Sequence, residues 1–255
     1  MEEYTYWERK SKIVPQSLHT DKINDEKNAF IQELYETIVS KDSLHNGDLK
    51  TRALSIHKIY MTFYIMSHFK SKELDSPYFN NLISCVIESE SLFFLGFKNS
   101  GMMLLRSALE LSFKFLYFTY HPIEQIKNET GNFDLHGIEY REFLYTFPNF
   151  LLQTTLNKDL IEQLWSELCQ YTHCDVKTVD EISLIADIKP IFENERSFQE
   201  YLKKIKHVFR IIIAILFMVK PNWLEGVEKS YFDYPFEILF SAPEITDLKI
   251  NLRIV

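Results

Sequence analysis

The chain is short of the residues that bend a backbone. Its 255 residues include only six glycines and eight prolines, too few for the tight turns of a many-stranded sandwich or barrel. Cysteine is scarce as well. Cys85, Cys169 and Cys174 are an odd number at irregular spacing, the pattern of thiols kept reduced in the cytosol, with no disulfide framework. Basic charge is in deficit: 28 Lys and Arg stand against 36 Asp and Glu, for a formal net charge of -8. That balance argues against binding nucleic acid with the whole surface and leaves room for a local basic patch. Long apolar runs are missing too. The most apolar stretch, Ile211 to Val219, lies between Arg210 and Lys220. It falls far below the roughly 20 residues of a membrane-spanning helix, so we expect a core helix and no membrane partner. The start, Met1-Glu2-Glu3-Tyr4, is acidic with no apolar run behind it, unlike a secretion signal. The compartment expected is the cytoplasm.

What is present suits a helical core. At 46% apolar, 15% aromatic and 25% charged, a chain of this length can bury a full-sized interior without disulfides or metal. From about Asp21, the positions Ile23, Phe30, Ile31, Leu34, Tyr35 and Ile38 recur at helical spacing, an amphipathic helix. A second is expected from about Asp48 to Phe69. Ser76-Pro77 reads as a cap and first turn leading Tyr78 to Phe97. A fourth helix opens at Gly101 and stops at His121-Pro122, because proline cannot donate to the helix and disfavours helical geometry in the residue before it. Its apolar residues nearly close the circle and leave only the stripe of Arg106, Glu110 and Lys114 charged, which predicts a central position in the bundle. Ile123 to Pro148, with Gly131, Gly137 and a short helix around Ile138 to Tyr145, reads as a surface excursion. Asn157 caps a fifth helix reaching His173. A connector runs to about Phe192, and the last long helix spans roughly Glu195 to Lys220. Beyond it, Tyr231 to Phe236 reads as aromatic coil, and Leu248 to Val255 alternates like one short strand. The fold expected is mostly α: a bundle of four or five long helices over residues 1–220, with a strand-forming C-terminal extension over residues 221–255.

Motifs for common enzyme classes are absent: there is no Gly-rich phosphate loop, CxxC pair, HExxH or nucleophile elbow. Cys169 and His173 stand four apart, but the other histidines have no ligand spacing, so neither a metal site nor a cofactor is expected. Arg106 and Glu110, also four apart, read first as a structural ion pair beside the core. A sharper reading aims Arg106 at a phosphate or a facing histidine. Lys203, Lys204, Lys206, His207 and Arg210 form the one basic run on a helix. They read as a solvated face, or as a contact for nucleic acid or an acidic partner. Arg52 and His57 fit R-x4-H, but over the three spacings R-x4-H to R-x6-H a chain of this composition supplies about 0.7 matches by chance. His57 therefore reads as a hydrogen-bonded core histidine.

The segments Leu104-Leu105-Arg106-Ser107-Ala108-Leu109-Glu110-Leu111 and Leu164-Trp165-Ser166-Glu167-Leu168-Cys169-Gln170-Tyr171-Thr172-His173 together resemble bacterial HEPN-like helical proteins. In those proteins an LRSxLE helix is followed, some tens of residues on, by a helix ending LSxYxH. The resemblance covers about residues 75–220. It implies a four- or five-helix bundle, often dimeric, from prokaryotic toxin, abortive-infection and phage-defence systems, whose active members cut RNA without metal through R-x4-6-H. In such cleavage a histidine moves the proton of the 2'-hydroxyl and an arginine stabilises charge on the phosphate. Here the positions at that spacing before His173 are Leu168, Glu167 and Ser166, none an arginine. The leading expectation is therefore a non-catalytic accessory subunit that binds other proteins or a second copy of itself. A ribonuclease using His173 with Arg106, near Glu110, is the alternative. A nucleic-acid-binding module working through Lys203 to Arg210 is a third reading.

Overall fold

A computed structural model describes residues 47–68, 76–94, 97–133, 135–151, 156–172, 195–220 and 237–251. These residues are mostly helical, with no strand among them. The expected helix over Asp21 to Ile38, the connector before Phe192, the aromatic segment Tyr231 to Phe236 and His173 lie outside the described residues.

Local chemistry sets the helix ends. Helix α1 is Gly47–His68. Helix α2, Pro77–Phe94, starts where Phe79 N donates to Ser76 Oγ at 3.1 Å, with proline in the first turn, where it has no hydrogen bond to lose. Helix α3 is Lys98–Tyr120, and just before it Phe97 N donates to Leu92 O of α2 at 2.8 Å. It ends at the expected place, and Pro122 then opens α4, Pro122–Glu129. One proline stops a helix and starts the next. Helix α5 is Gly137–Thr146, its first turn closed by His136 N donating to Glu139 Oε2 at 2.7 Å. A single turn, α6, occupies Pro148–Leu151. In α7, Lys158–Thr172, Leu160 N donates to the Asn157 side chain at 2.8 Å, the expected cap. Helix α8 is Glu195–Val219, and α9 is Ala242–Asn251.

Helix α3 is the hub, packing on α2, α5, α7 and α8, as its almost continuous apolar surface predicts. Met102, Leu105, Leu109, Phe113 and Leu116 are fully buried. Arg106, Glu110 and Lys114 keep one partly wet stripe. Helices α2 and α3 approach closely at Gly101: a Cβ there would stand 2.8 Å from the Phe93 ring. The apolar run of α8 is core throughout, with Ile211 to Met218 all buried. One turn earlier, the Phe209 ring meets Tyr60 at 4.9 Å and Phe63 at 5.4 Å on α1. No described helix is long and apolar enough to cross a membrane.

Two expectations are corrected. The strand read at Leu248 to Val255 is helix as far as Asn251, and residues 252–255 lie outside the described residues. The cause is one arm of a capping box: Glu244 Oε2 accepts from Ser241 N at 2.8 Å and from Ser241 Oγ at 2.9 Å, which favours a helical turn that a short alternation cannot outweigh. The segment read as a surface excursion contains both α4 and α5, and α5 buries Tyr140, Arg141 and Leu144. Only α4 fits the expectation, since none of its residues is buried.

Candidate functional site

Among the described residues, three constellations of polar side chains bear on the expected sites, and each is built from packing contacts between helices. The first lies where α3, α5 and α7 meet. Arg106 Nη1 pairs with Glu110 Oε2 at 3.4 Å, and Lys114 Nζ pairs with the other oxygen of the same carboxylate at 3.1 Å. Across the helix contact, Arg106 Nε donates to Cys169 Sγ at 3.4 Å. The guanidinium carbon lies 4.6 Å from the centre of the Trp165 ring. Arg141, nearly buried, brings a second guanidinium 4.5 Å from the same ring, so the Trp165 π system serves two cations.

Arg141 is held at two of its three nitrogens. Its Nε donates to Glu162 Oε1 at 3.0 Å and its Nη1 to Gly137 O at 3.1 Å, while the Tyr145 hydroxyl donates to the same Glu162 oxygen at 2.7 Å. Burial alone would raise the Glu162 pKa, but the Arg141 and Tyr145 hydrogen bonds and the Arg141 charge hold it below its ordinary value. Burial and the Glu162 carboxylate push the Tyr145 phenol up. The hydrogen bonds from Arg141 and Tyr145 favour the ionised form of Glu162, the arrangement of a structural ion pair.

The residues proposed for RNA cleavage therefore fall as follows. Arg106 and Glu110 are brought together, and Arg106 reaches α7, the helix that precedes His173 in the sequence. A phosphate at Arg106 would meet the Glu110 carboxylate on the same guanidinium, which opposes binding through like charge. The other arginine and histidine, Arg52 and His57, are separated: five positions along a helix put them on different faces. The Arg52 guanidinium lies 5.9 Å from the Phe198 ring, and His57 is wholly buried.

The second constellation is the basic row of α8, which the fold partly neutralises. Lys204 Nζ pairs with Glu167 Oε2 at 3.5 Å and donates to the Tyr171 hydroxyl at 3.3 Å. Burial would lower its pKa, but Tyr171 and Glu167 outweigh that and raise it. Arg210 pairs with Glu244 of α9 and lies 5.3 Å from the Phe240 ring. His207 is half-buried, and its pKa is lowered by burial first and then by the Arg210 and Lys203 charges. Lys203 is exposed and Lys206 half-buried. Between α7 and α8 runs a groove of about 440 Å³, lined among others by Leu160, Leu164, Glu167, Lys203, Lys204 and His207. Carboxylate and ammonium alternate along it. Among the described residues no group of three or more His, Cys, Asp and Glu side chains comes together as a metal site.

The third constellation was not found as a site by sequence reasoning. His57 Nδ1–H donates to Glu90 Oε1 at 2.8 Å, with neither side chain exposed. One turn on, the Tyr60 hydroxyl and Ser89 Oγ are 2.8 Å apart, and Ser89 Oγ donates to Val86 O at 2.8 Å. Burial raises the Tyr60 phenol well above its ordinary pKa. These two rungs fix α1 on α2. Polar residues at 57 and 60 and at 89 and 90, each within an otherwise apolar helix face, are the signal that could have found them.

Comparison with protein-family models, curated proteins and solved structures gives no match to this chain.

Proposed function

We propose that this chain is a non-catalytic, HEPN-like helical subunit that works by binding other protein chains, a cytoplasmic accessory component of a prokaryotic toxin or phage-defence system. The observation that carries the absence of catalysis is the occupation of Arg106. Glu110, Cys169 and Trp165 take up its guanidinium, and a second carboxylate-bound arginine, Arg141, stands against the same ring. Charges engaged in this way hold helices together. The defence context is what the resemblance of the Arg106 and His173 segments to HEPN-like proteins implies. The net charge of -8 opposes a nucleic acid held by the whole surface and leaves a local basic patch open to a partner.

The test has two arms, both with the full chain. Incubation with RNA in the presence of a chelator is expected to leave the RNA intact, and co-expression with the products of neighbouring genes is expected to yield a stable complex. Cleavage that is abolished by His173→Ala with the helical content retained would replace this reading with the ribonuclease. A chain that purifies alone and associates with nothing, including itself, would remove it.

A further inference from the structure

On α8, Lys203, Lys206, His207 and Arg210 fall within about 100° of helical arc, one face of the helix. At the end of this row the fold places a carboxylate from the C-terminal extension. Glu244 divides its two oxygens: Oε1 pairs with Arg210 Nη2, while Oε2 accepts from Ser241 N and Oγ and caps α9. Arg210 is left half-served. Its Nε is buried and has no acceptor among the described residues, although a guanidinium offers parallel donors suited to both oxygens of one acid group. Glu244 is an imperfect ligand for the site it fills, because its second oxygen is committed elsewhere.

We propose that this face of α8 is an interaction surface for an acidic peptide segment of a partner protein, and that Glu244 is the built-in competitor that keeps it closed. The proposal deepens the protein-binding reading above and rests on it. A segment with several carboxylates would meet Lys203 and Lys206 as well as Arg210, where α9 offers one shared carboxylate. Leu239 and Phe240 stay buried on the bundle, so opening is a local release of the helix that follows them. A peptide suits the face better than a polyphosphate does. Glu167 lies across the groove from Lys204, and Glu200 lines the same groove; a continuous phosphate backbone meets those charges, while separate carboxylates pass between them.

The experiment is anisotropy titration of a labelled oligoglutamate peptide with the full chain, as wild type, as Glu244→Gln and as Glu244→Gln/Arg210→Gln. Each variant is first checked for native helical content. Freed of its competitor, Glu244→Gln is expected to bind about fivefold more tightly than wild type, the scale of one part-buried ion pair, and the double variant to lose that gain. Should Glu244→Gln fail to fold, Glu244→Asp serves in its place, since its shorter side chain cannot span both Ser241 and Arg210; a smaller gain of the same sign is expected. Adding oligoglutamate to wild type should speed hydrogen exchange across residues 237–251. Equal affinities for wild type and Glu244→Gln, a gain independent of Arg210, or unchanged exchange would each overturn the proposal. So would an RNA oligonucleotide of equal length that binds Glu244→Gln more tightly than the peptide. If these titrations fail while the partner complex survives, only the competitor falls; if the complex fails, the protein-subunit reading falls with it.

Discussion

His57 and Glu90 face each other between α1 and α2 with no exposure of either side chain. Lys204 and Glu167, and Arg210 and Glu244, make the same kind of pair on the rim of the bundle, with side chains 15% to 33% exposed. What differs is water. A polar group cut off from solvent depends on its protein partners, whereas a rim charge can fall back on hydration, so the first kind of contact fixes a fold and the second can be exchanged for another ligand. The α1–α2 contact adds the Tyr60–Ser89 rung one turn away, which makes it the rigid region. The α8 face, with its shared carboxylate and its unserved guanidinium nitrogen, is the adaptable one.

The sharpest way to break the comparison is Glu90→Ala. It leaves a buried imidazole without its acceptor and should cost on the order of 3–5 kcal/mol, read as a drop in the urea midpoint. A His57→Leu/Glu90→Met double variant should recover part of that loss, because neither member of the pair is then left facing an apolar side chain. If Glu90→Ala unfolds at the wild-type midpoint, the interior contact is no different from the rim.

Arg141 stands between the extremes, nearly buried but paired with a more exposed Glu162. Its replacement by alanine should cost about 2 kcal/mol through lost charge-assisted hydrogen bonds. A measured cost near that of Glu90→Ala would move this cluster into the rigid class.

The pH dependence of melting should be smaller again. His207 has a folded-state pKa below its ordinary 6.5, so on acidification the unfolded chain takes up that proton first. Stability is complete above pH 6.5 and declines as pH falls from there toward the folded-state pKa. Glu162 and Glu244 are likewise lowered from 4.5, which adds a second decline below that value. His207→Gln should remove the upper limb and leave the lower one; a melting curve flat between pH 7 and pH 5 in the wild type would contradict the half-buried placement of His207. Smallest of all, Lys204→Ala should shift stability by less than about 1 kcal/mol, as rim pairs do.

The long helices were legible because their chemistry is local. Ser76-Pro77, His121-Pro122 and Asn157 act within one turn, and each marks a boundary within a few residues of its observed place. The same local code was present at Ser241-Ala242-Pro243-Glu244 and was outweighed by the alternation after Leu248, although a cap followed by proline is the stronger instruction. Pro122 was read only as a stop, which hid α4. The contacts that join helices were legible only in part. Arg106 with Glu110 shares a helix face and shows in the spacing, but Glu90 is 33 residues from His57 and Glu162 is 21 from Arg141, and no periodicity encodes which helices become neighbours.

Phe93, near the end of α2, approaches Gly101, near the start of α3. At the far end of the same pair, Tyr78 stacks on Phe118 with centres 4.8 Å apart. Clasped at both tips, α2 and α3 cannot slide past each other without breaking a ring contact at one end, so their amide hydrogens should exchange as one cooperative unit.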